Sequence, residues 1–334
     1  MAEHNDAPDM RRLISDLGAQ MAAALTVPVS RPPAEGVAFR GVAVLGMGGS
    51  GIGAAVLADM LRATCPVPFA AVSDQVLPGW VGEGCLVVAS SYSGNTEETL
   101  AALDEAEKRG CDLAAVTSGG TLGTRAEKGG WPTVIMPGGN PPRSQFGRSF
   151  LGLCALMNAF GLVTDGDWAD IQAAVAGLDG ASAAERGESL ALAVEGKNIY
   201  LYADTPMRGL LTRWRQQLNE NSKLLANVEV FPEMNHNELV GWETGDEQCV
   251  AVLVRTPDDH VRTSLRMDIT SEVFQEQGAD VVVVEPDGGT PWARLLDAVW
   301  VGDWMSLVLA ERGGFDPVDI RFIDHLKNTL AKHE

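Results

Sequence analysis

Cysteine is scarce in this sequence. Cys65, Cys85, Cys111, Cys154 and Cys249 are odd in number, widely spaced and never in a CxxC arrangement. That pattern argues against a disulfide framework and against a structural zinc site, and leaves reduced thiols in or near a core. Long apolar runs are also missing. Nothing approaches the ~18 residues that a membrane-crossing helix needs, so no membrane partner is expected. Cations are outnumbered, with 25 Lys and Arg against 45 Asp and Glu, for a formal net charge of −20. Such a chain repels phosphate backbones and anionic lipid, and no basic patch offsets the charge, so no nucleic-acid partner is expected. The stretch from Met1 to Arg12 is polar and acidic and lacks the basic-then-apolar layout of a secretory signal, so a cytoplasmic location is expected. There is no low-complexity segment.

What is present has a globular balance, 46% hydrophobic and 21% charged, and its length suits two domains of roughly 150 residues each. Apolar positions at helical spacing predict an N-terminal helix over 9–25, ahead of a proline-containing loop over 27–36. A strand over 41–45, a glycine-rich loop over 46–53 and a helix over 52–62 follow. Further strands are predicted at 69–73, 85–90, 113–117 and 133–136, with helices at 97–109 and 150–160. Short apolar runs alternating with helices predict an α/β fold with a doubly wound, mostly parallel sheet. Further helix and a linker fall within 163–186, which divides the chain into 1–165 and 166–334. A second alternating series then begins, with strands at 198–203, 250–255 and 280–285 and helices at 208–225 and 263–277. Two more helices, 295–311 and 320–330, close the chain. The fold repeats.

Two loops carry chemistry. Gly46-Met47-Gly48-Gly49-Ser50-Gly51-Ile52-Gly53 contains GxGxxG between a strand and a helix, with Asp74 after the second strand where a ribose-binding carboxylate would sit. A dinucleotide site and a plain tight turn are both open readings. Ser50 favours a third, because it adds a hydroxyl to the backbone amides of Gly48 and Gly49 at a helix start, as suits a phosphate. The second loop, Ser91-Tyr92-Ser93-Gly94-Asn95-Thr96-Glu97-Glu98-Thr99, brings the hydroxyls of Ser91, Ser93 and Thr96 around a glycine at the end of the third strand. Ordinary capping by Thr96 would explain one of them. Three in one loop, across the sheet from the glycine-rich loop, favour phosphate binding.

GMGGSGIG followed by SYSGNTEET resembles the sugar isomerase (SIS) domain. The stretches Leu218-Asn219-Glu220-Asn221-Ser222-Lys223, Pro232 to Trp242, Pro137-Gly138-Gly139-Asn140-Pro141-Pro142-Arg143 and Ile323-Asp324-His325-Leu326-Lys327 are similar to one branch of it, the bifunctional phosphoglucose/phosphomannose isomerases. The resemblance implies two tandem SIS domains, a sugar-phosphate substrate, no cofactor, no metal, and a homodimer. Moving a carbonyl between carbons 1 and 2 needs a base that carries a proton between them through an enediol or enediolate. Glu220 matches that base, and Arg143 matches the cation that steadies the enediolate oxygens. His236 matches the histidine that opens the sugar ring, in the family reaching across into the neighbouring subunit's site, with Lys327 as its helper.

Each residue also has a structural reading. Glu220 could be a solvated helix side chain, Arg143 a surface charge, His236 a loop cap, and Lys327 a partner of the helix dipole. A zinc site on His236 with Glu233 or Glu238 has poor ligand spacing. Asp316-Pro317-Val318-Asp319-Ile320 departs from a common threonine-proline-valine run. The family associates the hydroxyl of that run with the mannose epimer. Ala203-Asp204-Thr205-Pro206-Met207-Arg208 lacks the glycine-rich turn expected in the second half, so its own phosphate loop is expected to be vestigial. A sugar-phosphate sensor and an amino-sugar-phosphate isomerase or deaminase are the competing functions. A sensor has no need for Glu220, His236 and Arg143 together. A nicotinamide dehydrogenase is more distant and requires a bound cofactor.

Overall fold

The computed structural model describes residues 9–33 and 36–333. The first half carries β1 (Gly41–Leu45), β2 (Phe69–Val72), β3 (Cys85–Ser91), β4 (Asp112–Thr117) and β5 (Thr133–Ile135), with α1 (Met10–Ser15), α2 (Leu17–Ala24), α3 (Gly48–Met60), α4 (Glu97–Lys108), α5 (Gly120–Gly129) and α6 (Phe146–Ala159). The second carries α7 (Asp165–Ala176), α8 (Gly180–Val194), β6 (Asn198–Asp204), α9 (Arg208–Gln217), β7 (Ala226–Phe231), α10 (Glu238–Gly241), β8 (Cys249–Val254), α11 (Val261–Glu276), β9 (Asp280–Val284), α12 (Pro291–Arg312) and α13 (Arg321–Leu330).

The strands form two sheets, ordered β2-β1-β3-β4-β5 and β7-β6-β8-β9. Every pairing between neighbouring strands is parallel. Both sheets place their first strand inside and their second at the edge, so the repeat expected from the sequence is present down to the order of crossovers. Central strands β1, β3 and β8 are buried along their whole length, as parallel strands covered by helices on both faces must be.

Strand side chains alternate between faces, and the alternation assigns the layers. Val42, Val44, Leu86 and Val88 of the first sheet and Ile199, Leu201, Val250 and Val252 of the second enter one common apolar cluster. That cluster also takes Ile52 and Val56 of α3, Phe150 and Leu153 of α6, Trp214 of α9 and Leu296, Val299 and Met305 of α12. The two sheets therefore share a middle layer of helices. The opposite faces have cores of their own. Ala43, Leu45, Val87 and Ala89 meet Leu103 of α4 and Leu122 of α5, while Tyr202, Ala251 and Leu253 meet Met267 and Phe274 of α11.

Several boundaries differ from expectation. The N-terminal helix breaks at Asp16, whose backbone (φ −81°, ψ 3°) ends α1 and precedes α2. Helix α3 begins at Gly48, inside the segment expected to be loop. Helix α5 escaped the sequence reading because glycines open and close it and weaken its helical signal. Strand β7 escaped because it is an edge strand with Asn227 and Glu229 in it. The helix expected over 208–225 ends at Gln217, where the chain widens into a π turn over Leu218–Ser222. Helix α13 has no buried residue, although Phe322, Leu326 and Leu330 fall on one of its faces.

Candidate active site

The order of the first sheet reverses between β1 and β3, and open α/β sheets bind ligands in the crevice outside the carboxyl ends of strands at such a switch point. The two loops singled out by sequence leave those two strand ends. After β1 the chain turns at Gly46 and Met47 into α3, whose first amides receive no side-chain cap. After β3, Ser91 Oγ lies 2.8 Å from Thr96 Oγ1 and accepts from Gly94 N at 3.1 Å, while Ser93 Oγ accepts from Asn95 N at 3.2 Å. Thr96 occupies the cap position of α4, yet its hydroxyl faces Ser91 and not the helix amides. The amides at the start of α4 thus lack the side-chain cap that the ordinary capping reading requires.

Ser50 sits differently from its sequence reading. It is a buried residue of the first turn of α3, its Oγ accepts from Tyr92 N at 2.9 Å, and its carbonyl accepts from Ser90 Oγ at 3.1 Å. Its hydroxyl ties the two loops together. Tyr92, which nothing in its own motif singles out, gathers two more loops. Ser118 Oγ donates to its carbonyl at 2.6 Å, and its hydroxyl accepts from Asn140 N at 3.1 Å. Gly94 must be glycine on two counts: its φ is +69°, and a Cβ there would lie 1.9 Å from the Gly119 carbonyl.

The glycine-rich loop touches the next element directly. A Cβ on Gly49 would come within 2.9 Å of Arg143 N, so only glycine lets α3 lie this close to the 3-10 turn Pro142–Gln145. Arg143 itself is 4% exposed. Its Nη1 donates to Glu220 Oε2 at 3.0 Å, its Nε to Asn221 Oδ1 at 2.8 Å, and its Nη2 to the Pro317 carbonyl. Burial pulls this guanidinium below its ordinary value, and the neighbouring Glu220 carboxylate works in the other direction. Glu220 stands on the π turn with its side chain 26% exposed, so it combines a fixed charge partner with access to solvent.

Lys223 follows at φ +59° and holds the segment that leads into α13. Its Nζ donates to the carbonyls of Glu220 (2.6 Å), Asp316 (2.8 Å) and Asp319 (2.9 Å). Burial, then the Arg143 charge, lower this ammonium, opposed by Asp319, Asp316 and Glu220. A cavity of about 340 Å³ opens here, walled by Glu220, Lys223 and Leu224 on one side and by Asp319, Arg321 and Ile323 on the other. Val318, next along the strap, packs against the common apolar core.

One chain brings Arg143 and Glu220 together and packs the Arg143 backbone against Gly49. It does not do the same for the other two expected residues. His236 is exposed on the turn after β7 and Lys327 is exposed on α13. Among the described residues neither is hydrogen-bonded or ion-paired to Glu220 or Arg143. Asn221 and Lys223, which both touch the pair or its backbone, lay inside the Leu218–Lys223 motif, but nothing in the sequence separated their roles from that of Glu220.

Residues 183–330 match the family described as the bacterial phospho-glucose isomerase C-terminal SIS domain. In overall fold the chain is similar to the C-terminal domain of glucosamine-fructose-6-phosphate aminotransferase from Francisella tularensis (TM-score 0.74, 14% identity, covering 95% of this chain and 99% of that one). Glucosamine-6-phosphate deaminase from Thermotoga maritima is also similar (TM-score 0.70, 13% identity, covering 93% and 96%). In sequence, a D-glucosamine-6-phosphate 4-epimerase from Sulfolobus acidocaldarius is 33% identical over 70% of this chain and 74% of its own. The bifunctional phosphoglucose/phosphomannose isomerase of Caldicellulosiruptor bescii is 35% identical over 87% of this chain and 89% of its own, and that of Aquifex aeolicus is 34% identical over 88% and 92%. With relatives of that similarity matched almost end to end, the chain belongs to the bifunctional phosphoglucose/phosphomannose isomerase family.

Proposed function

We propose that this protein interconverts glucose 6-phosphate and fructose 6-phosphate, with mannose 6-phosphate as the second aldose, through an enediolate whose protons are moved by Glu220. The observation that carries the reading is the Arg143–Glu220 pair at 3.0 Å, with the Arg143 backbone packed against Gly49 of the glycine-rich loop. The phosphate docks among the uncapped amides at Gly48 and Gly49 and the hydroxyls of Ser91, Ser93 and Thr96, with Ser50 holding the two loops in register. The sugar then extends toward Glu220. Glu220 takes the proton from carbon 2 of the open-chain aldose and returns it to carbon 1, while a hydroxyl proton passes from O2 to O1, so atoms balance without an added reductant or oxidant. Arg143 stabilises the negative charge that builds on O1 and O2 in between. Residues 1–165 supply the phosphate loops and 166–334 the base.

Ring opening falls to His236 and Lys327. We place His236 in the partner's site of a homodimer, a reading supported by its exposure and by the uncovered apolar face of α13. Steady-state conversion of fructose 6-phosphate to the two aldose phosphates, with EDTA present, tests the whole for the wild type and Glu220→Gln. Metal-independent turnover that disappears in Glu220→Gln supports both isomerase and base. Binding of fructose 6-phosphate without turnover returns the case to a sensor. The relative named as a glucosamine-6-phosphate epimerase favours one second reading, an amino-sugar phosphate, which requires turnover of glucosamine 6-phosphate without fructose 6-phosphate activity.

A further inference from the structure

Behind the Arg143–Glu220 pair runs a hydrogen-bond chain with a single possible direction. Asp303 O is a backbone carbonyl and can only accept, so the Ser306 hydroxyl spends its proton there at 2.8 Å. The Ser306 oxygen is left with a lone pair, and Asn221 Nδ2 donates to it at 2.9 Å. That fixes the amide: Asn221 Oδ1 must face Arg143 Nε, a donor only, and does so at 2.8 Å. A flipped amide would set donor against donor at Arg143. Asn221, Ser222 and Ser306 are fully buried, so no solvent stands ready to replace any link. Ser222 Oγ adds a second clamp, donating to the Ser306 carbonyl at 2.6 Å.

The chain is anchored on the longest helix of the middle layer. Trp214 Nε1 donates to Ala298 O at 3.0 Å, Arg213 Nη2 reaches Asp303 Oδ2 at 2.6 Å, Gln217 Nε2 reaches Asp303 Oδ1 at 2.9 Å, and Asn221 reaches Ser306. Helix α12 thus meets α9 and the π turn step by step. Widened turns recur at functional sites, and this one closes α9, ending at the left-handed Lys223. Here the widening lets Asn221 and Ser222 both meet α12 while the neighbouring Glu220 stays partly exposed.

We infer that Asn221 and Ser306 are positioning residues for the isomerisation: they set the plane of the Arg143 guanidinium, and through it the placement of Arg143 against Glu220 and the developing enediolate. This rests on the reading above that Arg143 and Glu220 meet the substrate. A guanidinium is a rigid fork, so fixing Nε fixes where Nη1 and Nη2 point. An ammonium in its place has no such plane to fix.

The test is a coupling measurement in the full-length protein with fructose 6-phosphate. Asn221→Ala lowers kcat about 10- to 100-fold, the scale of a sub-ångström to ångström misplacement, and leaves KM within about twofold. In an Arg143→Lys background the same change costs less than about threefold, because the Nε–H that Asn221 orients is gone. Ser306→Ala gives the same pattern at smaller size, and it carries the test if Asn221→Ala does not fold. Equal losses in both backgrounds, a loss confined to KM, or no loss overturns the positioning role. Glu220→Gln measured alongside separates the two failures. If that variant stays active, the assignment of the base is wrong. If it is inactive while Asn221 shows no coupling to Arg143, only the positioning role is wrong.

Discussion

Arg143 and Glu220 stand 77 residues apart in sequence and 3.0 Å apart in the fold, the guanidinium buried and the carboxylate partly open to solvent. A cation held this way can face a developing enediolate without drifting, and a carboxylate beside it can exchange a proton with a bound sugar. Glu220→Gln keeps the shape and an acceptor for Arg143 but removes the basic oxygen. Its kcat for fructose 6-phosphate is expected to fall by about 10²- to 10⁴-fold, with the thermal unfolding midpoint near that of the wild type. A coupled spectrophotometric assay beside a melt checks both, and a variant that keeps wild-type kcat would remove Glu220 from the chemistry.

His236 provides a test that needs two chains. If it serves the partner's site, Glu220→Gln and His236→Ala are each inactive alone, yet co-refolding equal amounts restores about a quarter of wild-type activity. Half of the dimers are then mixed, and each mixed dimer has one complete site. No recovery, under conditions where mass measurement shows mixed dimers, places His236 in its own chain's site.

Arg213 and Asp303 form an ion pair at 2.6 Å with each side chain 2% exposed, and Arg213 also lies over the Phe146 ring at 4.3 Å. Asp303→Asn leaves the arginine charge buried without its counter-ion and is expected to cost about 3–5 kcal/mol in denaturant unfolding. Replacing all three members of the cluster by apolar side chains, Arg213→Met with Asp303→Leu and Gln217→Leu, leaves no buried donor without its acceptor and recovers most of that loss. A triple variant no more stable than Asp303→Asn would show that the cluster does more than satisfy its own charges.

Asp59 gives the protein a pH-dependent weakness. Its carboxylate accepts from Gly209 N at 2.7 Å where α3 crosses α9, and burial pushes its pKa up to about 6. In the unfolded chain it returns to the ordinary aspartate value of about 3.9. Below about pH 4 the group is neutral in both states. Between about pH 4 and 6 the folded state holds more protons than the unfolded one, so stability falls as pH rises, and above about pH 6 the penalty is constant. Asp59→Asn keeps an acceptor for Gly209 and removes the titration. It is expected to be more stable than the wild type at pH 7 and no more stable at pH 4, with about 3 kcal/mol as the ceiling and less after solvent screening. Urea unfolding at the two pH values reads this difference, and an equal effect at both would rule the titration out.

Much of this molecule was legible in one dimension. Strands β1 and β8 are unbroken apolar runs, and β3 is one up to its closing Ser90 and Ser91, because a parallel strand covered on both faces has no polar side to interrupt it. The Gly46–Gly53 and Ser91–Thr99 segments were legible because close backbone packing and clustered hydroxyls leave a mark in residue type. Family membership followed from several such motifs in order, and the relatives bear it out. What stayed hidden depended on neighbours distant in sequence. Helix α5 and strand β7 carry weak local signals and are stabilised by the sheets they cover or extend. The part of Ser50 in joining two loops, and of Tyr92 in gathering three, could not be told from a list of hydroxyls.

Residue types and their local order by themselves determined most of the strands and the two loops rich in glycine and hydroxyls, because those depend on backbone packing and side-chain chemistry within a few positions, whereas the Glu220, Arg143 and His236 candidates came from the resemblance of their motifs to a family. Tertiary structure alone decided that two sheets share one helical layer, that Glu220 meets Arg143, and that Asn221 and Ser306 stand behind them. The physical reason is that burial and hydrogen-bond direction are properties of the assembled interior. Asn221 carries the same amide in any sequence, and it becomes a fixed spacer only where a hydroxyl oxygen whose proton is already given to a carbonyl at one end, and a guanidinium at the other, leave it a single orientation.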